Sequence, residues 1–125
     1  LERKSIAAIA LTTDTSIITS IGNDYSFNMI FSRQCESIVS KDDVVIAIST
    51  SGNSLNVLNG LKTSKKNGAK IIGLLGNNGG KIKSIVDNPI IIKSKSTARI
   101  QEVHRIVSHL ICDLVEKEWR RITND

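Results

Sequence analysis

Four short β-rich apolar segments, Ile6 to Leu11, Val44 to Ile48, Lys70 to Leu75 and Pro89 to Lys93, recur along the chain with helical patterns between them. The runs are nearly continuous rather than alternating, which is the pattern of parallel strands covered on both faces. The helical pattern between the second and third carries Val57, Leu58 and Leu61 and ends near Gly68, a residue type suited to the C′ position. This βα alternation predicts an α/β fold, a three-layer α/β/α sandwich around a parallel sheet, with ligands at the carboxyl ends of the strands.

A chain of 125 residues with 40% apolar content is one domain at most, long enough for a core and too apolar for disorder. No apolar run approaches a membrane span and no signal peptide precedes the first apolar segment, so a cytoplasmic protein without membrane partners is expected. Cys35 and Cys112 lie far apart in helical patterns, with no CxxC spacing, and are expected as buried reduced thiols. The net charge of +5 is spread over dispersed lysines, and aromatics make up only 3% of the chain, leaving little on which to stack bases. A solvated basic surface that draws in an anionic metabolite is expected, and no nucleic-acid partner. The opening Leu1-Glu2-Arg3-Lys4 has no initiator methionine and reads as part of something longer.

Ser49-Thr50-Ser51-Gly52-Asn53-Ser54 follows the Val44 to Ile48 run and precedes the Val57, Leu58, Leu61 helix. At a strand-to-helix turn, unpaired N–H groups and the positive end of the helix dipole converge, and four hydroxyls add donors. The loop contains no lysine and lacks the Gly-Lys-Ser/Thr ending of a nucleotide P-loop. It favours a single phosphoryl group read by neutral donors, against the plainer alternative of an N-cap with spare serines.

From Ala98 to about Arg121 one helix is predicted, its stripe of Ile100, Val103, Val107, Leu110, Ile111 and Leu114 packing on the sheet. At about 100° per residue, Gln101, Arg105, Ser108, Cys112 and Trp119 share a second side, with His109 beside them. A tryptophan, a cysteine and a histidine turned away from the sheet suggest another subunit or an active site. His104 falls at the margin of the stripe, a structural position, whereas His109 points away from it. Gln101 and His109 are two turns apart, roughly 12 Å by rise, a weak metal pair on spacing alone.

Ile48-Ser49-Thr50-Ser51-Gly52-Asn53-Ser54, Ile21-Gly22-Asn23-Asp24-Tyr25, Phe31-Ser32-Arg33-Gln34 and Ala98-Arg99-Ile100-Gln101-Glu102-Val103-His104, with His109 following, together resemble the bacterial sedoheptulose-7-phosphate isomerases (phosphoheptose isomerases) of the sugar isomerase (SIS) domain family. The resemblance covers essentially the whole chain. It implies that residues 1–125 form the C-terminal portion of a SIS domain, and that the activity is an aldose–ketose isomerisation of a seven-carbon sugar phosphate feeding the lipopolysaccharide core. It further implies that Ser49, Thr50, Ser51 and Ser54 hold the phosphate, that Asp24 and Gln101 contact the sugar, and that His109 is one member of an acid/base pair. Zinc bound by Gln101 and His109, as in some family members, and a homotetramer with sites at subunit interfaces are implied as well. The family's first strand, its Gly-Asn-Gly-Gly-Ser loop and a helix with a glutamate base match positions before Leu1, and that strand would be the neighbour of Ile6 to Leu11. Ala98 stands where some relatives carry an acidic residue.

Two other readings belong to the same family: a non-catalytic protein of the type that associates with the replication initiator, and a sugar-phosphate sensor. Ser51 and His109 speak against the first, because relatives of that type tend to alter the loop at the Ser51 position and to lack the later histidine.

Overall fold

The computed structural model describes residues 3–123. Strands β1 (Val44–Ser49), β2 (Lys70–Gly76) and β3 (Asn88–Ile92) form a parallel sheet in the order β1-β2-β3, with Ser49 opposite Leu75 and Ile72 opposite Asn88. The helices are α1 (Thr15–Asp24), α2 (Ser32–Ile38), α3 (Leu55–Lys66) and α4 (Thr97–Thr123). Single 3₁₀ turns lie at Phe27–Met29 and Ile82–Ser84.

β2 is the central strand and the most deeply buried, Ile71, Leu74 and Leu75 having no exposed surface. Side chains alternate across a strand, so Ile71 and Leu75 share one face. There they join Ala47 of β1, Leu58 and Leu61 of α3, and Ile82 and Val86 in the main core. α4 packs on β2 and β3, with Ile100 wholly buried. Helices on both faces of a parallel sheet give the expected three-layer sandwich. α3 ends at Lys66 with Lys65 and Lys66 in its last turn, and Gly68 follows the cap residue Asn67 at a φ of 88°, as its position predicted.

Four expectations are corrected. Ile6 to Leu11 is not a strand: residues 3–10 carry no regular structure and most of the segment is exposed. A strand exists only through its ladder, and among the described residues none pairs with it. The segment is held instead by Arg3, whose Nε lies 2.5 Å from Glu116 Oε2, and by Gln34, whose Nε2 donates to Leu11 O at 3.1 Å.

The stripe of α4 is also narrower and rotated. Ile100, Val103, Val107 and Ile111 are buried or half-buried, but Leu110 is 56% and Leu114 64% exposed. His104 takes the core position instead, 4% exposed, because its Nε2–H reaches the Leu75 carbonyl at 3.1 Å and offsets the cost of burial. β1 likewise is covered on one face only: Val45, Ala47 and Ser49 point inward, while Val44, Ile46 and Ile48 stay exposed because α4 lies over β2 and β3.

Finally, only one thiol is buried. Cys35 lies in α2 at 2% exposure, and burial pushes its pKa up, keeping it protonated, whereas Cys112 is exposed.

Candidate active site

The carboxyl end of β1 turns directly into the loop Ser49 to Ser54 and then into α3. Ser54 is the N-cap of α3, yet its hydroxyl makes no capping bond, and no acidic side chain occupies the first turn. Within the first turn Val57 N–H donates to Asn56 Oδ1 at 2.8 Å, while Leu55 and Asn56 receive no capping acceptor from Ser54 and the dipole there meets no acidic side chain. Below them Ser49 is 4% exposed; its Oγ accepts from Gly52 N at 3.1 Å and lies 3.1 Å from Ser54 Oγ. Ser49 therefore braces the loop from beneath. Ser51 is exposed and its Oγ accepts from Asn53 N at 3.1 Å, so its hydroxyl proton remains available, and Thr50 is half-buried. The loop thus carries one buried serine, Ser49, two half-buried hydroxyl residues, Thr50 and Ser54, and the exposed Ser51.

α4 begins beside this loop. A Cβ on Gly76 would collide with the Thr50 carbonyl and with Ile100 Cδ1, so the absence of that atom lets loop, strand and helix meet. One turn into α4 a groove of about 340 Å³ opens, lined by Ile48, Gln101, His104, Arg105, Ser108, His109 and Cys112. Ile48 and Ser49 face opposite sides of β1, and the groove is joined to the loop through Ile100, which meets Gly76 beside the Thr50 carbonyl and directly precedes the groove residue Gln101. The groove brings together Gln101 and His109 as their shared helix side predicted. Both are exposed, as is Arg105. His104 contributes from below: with its Nε2 proton committed to Leu75 O, Nδ1 is a bare acceptor, buried and without a partner among the described residues.

Asp24 is placed elsewhere. It closes α1, exposed, with Asn23 Nδ2 donating to its Oδ1 at 2.9 Å, and it does not line the groove. Trp119 is half-buried with its indole N–H inside the protein and unpartnered among the described residues, rather than standing free on the groove side. Sequence reasoning missed Ile48 as a groove wall, since a continuous apolar run reads as a strand covered on both faces. It also passed over Gly76 to Lys81, whose paired Asn and Gly residues were the available signal of a structured turn.

A family model for the SIS domain matches residues 1–76. The chain is similar to the phosphoheptose isomerase of a Nitratiruptor species, 50% identical over 118 residues that make up 94% of this chain and 63% of that protein. It is similar also to the phosphoheptose isomerase of Citrifermentans bemidjiense, at 55% identity over 94% of this chain and 62% of that protein. Among solved structures, a phosphoheptose isomerase from Neisseria gonorrhoeae superposes with a TM-score of 0.87 at 43% identity, covering 89% of this chain and 62% of the other. One from Francisella tularensis gives 0.89 at 35% identity, covering 92% and 62%. The chain thus spans somewhat under two thirds of the length of the relatives it matches.

Proposed function

Because this chain belongs to the SIS domain family, we propose that it supplies the phosphate loop and one acid/base group of an aldose–ketose isomerase acting on sedoheptulose 7-phosphate. The observation that carries this reading is the adjacency of the serine loop to a groove holding Gln101 and His109, in a chain half identical to phosphoheptose isomerases. The substrate has its phosphate and its reacting carbons at opposite ends. Loop and groove answer to those two ends.

Thr50, Ser51 and Ser54 donate to the phosphate with the opening N–H groups of α3, and Ser49 keeps them in place. Gln101 binds sugar hydroxyls. The reaction moves a proton from C1 to C2 through an enediol, so a base takes the carbon-bound proton while an acid/base group serves the oxygens. His109, exposed on the groove wall, acts as one of that pair, and the neighbouring Arg105 guanidinium favours the developing enediolate. The glutamate partner implied by family resemblance is not among these residues. Asp24 is kept as a sugar contact on that resemblance alone.

Zinc would add a Lewis acid for the enediolate, held by Gln101 and His109. Their imidazole nitrogen and amide oxygen suit it in kind, but a zinc centre takes about four ligands, and no group of three His, Cys, Asp or Glu among the described residues is placed to hold a metal. The donors among the described residues do not complete such a centre.

We place the reaction in the cytoplasm, at the entry to heptose synthesis for the lipopolysaccharide core; no helix among the described residues is long and apolar enough to cross a membrane.

Replacing Ser51 by Ala should remove about 1.5 to 3 kcal/mol of charge-assisted hydrogen bonding, roughly ten- to a hundredfold in sugar-phosphate affinity. Titration of the intact protein checks this, and unchanged affinity in Ser51→Ala would count against the loop.

The same reading makes the protein a homotetramer with its sites near subunit interfaces. Ile106, Leu110 and Leu114 leave an exposed apolar stripe on α4, and Val44, Ile46 and Ile48 an exposed face on β1. Surfaces of that kind are covered in an assembly more often than left in water. Sedimentation of the intact protein at micromolar concentration should give a species of four chains, and a monomer would refute the assembly.

A further inference from the structure

Three successive carbonyls of the serine loop are tied down. Thr50 O accepts from Asn77 Nδ2 at 3.0 Å, Ser51 O from Asn53 Nδ2 at 3.1 Å, and Gly52 O from the backbone N–H of Ile82 at 3.0 Å. The Asn53 amide is itself oriented, because Lys81 N donates to its Oδ1 at 3.0 Å. All the outside donors come from one turn, Gly76 to Ile82, that follows β2.

That turn is built to approach the loop backbone to backbone. Gly52, Gly79 and Gly80 have φ values of 66°, 88° and 52°, a region that L side chains rarely adopt. A Cβ on Gly52 would collide with the Gly79 carbonyl, and a Cβ on Gly80 with the Gly52 carbonyl. Asn77, at a φ of 55°, tolerates the left-handed region and carries the amide that reaches Thr50.

A peptide unit that presents its carbonyl oxygen to a phosphate repels it, while one that presents its N–H attracts it. The carbonyls of Thr50, Ser51 and Gly52 are each committed to a donor, so these three peptide oxygens are held by partners other than an anion seated on the loop. We propose that Asn53 and Asn77, with the Gly76 to Ile82 turn, are positioning residues that hold the loop carbonyls away from the substrate phosphate. The inference rests on the serine loop being the phosphate site and adds the second loop that sets its polarity. Neither asparagine touches the phosphate in this arrangement; each acts through the loop.

The test uses the intact protein with inorganic phosphate as the probe, followed by sedoheptulose 7-phosphate. Asn77→Gly keeps the left-handed backbone and removes only the amide, and Asn53→Ala removes the bridge from Lys81 to Ser51. Each should weaken inorganic phosphate about three- to tenfold, the loss expected for one oriented hydrogen bond. KM for the sugar phosphate should rise by a similar factor with kcat changed by less than about twofold, because the effect is on binding. A lowered unfolding temperature with wild-type phosphate affinity in both variants would show a merely structural role and overturn the proposal. If Ser51→Ala weakens phosphate while both asparagine variants bind normally, the positioning role fails and the loop stands. If the wild-type protein itself does not bind phosphate, the loop fails and this inference with it.

Discussion

His109→Asn should bind sedoheptulose 7-phosphate nearly as the wild-type protein does and turn it over about 10² to 10⁴ times more slowly, the usual loss for a positioned acid/base group. The asparagine retains a polar side chain of similar reach but cannot carry a proton at neutral pH. His109 is exposed on the groove wall, so its replacement leaves no cavity and no buried unpaired group. His104→Asn is the internal comparison. His104 is buried and bonded to Leu75 O, so its loss should appear mainly in stability, by about 1 to 3 kcal/mol for an unsatisfied buried carbonyl. Steady-state kinetics with denaturant unfolding of both variants separates the two histidines. Near-normal turnover in His109→Asn would remove it from the chemistry.

Ile100→Ala should destabilise the intact protein by about 2 to 4 kcal/mol, the range for truncating a fully buried isoleucine. Ile100 has no exposed surface and packs where Gly76, Thr50 and the start of α4 converge. The cavity would therefore open between the helix that carries Gln101 and His109 and the loop that precedes α3. Weaker sugar-phosphate binding should accompany the lost stability, since groove and loop would no longer share a rigid joint. Chemical denaturation reads the first effect and titration the second. A cost below about 1 kcal/mol would mean that the joint is not the anchor described here.

Strands β1 and β2 and the long α4 were legible because their signals are local: β-rich runs, a helix stop at Gly68, and hydroxyls at a strand-to-helix turn. The serine loop was legible for the same reason. Ile6 to Leu11 failed because apolar composition says nothing about whether a ladder partner is present. Leu110 and Leu114 failed because a helical wheel gives spacing but not the angle at which the helix meets the sheet. His104, a polar residue, takes the core position there by bonding the Leu75 carbonyl, which is 29 residues away. Asn53 and Asn77 were invisible as positioning groups since their partners, Lys81 and Thr50, lie 28 and 27 residues away. Long-range hydrogen bonds leave no periodicity to read.

We propose that this serine loop and His109 belong to an isomerase that works through an enediol on a seven-carbon sugar phosphate. Incubating the intact protein with sedoheptulose 7-phosphate in deuterated water and following the products by NMR tests it most directly. Aldoheptose 7-phosphate bearing solvent deuterium at C2 is expected, with both the product and the label greatly reduced in His109→Asn. Failure to form the aldose, with no exchange of the C1 hydrogens, would contradict it.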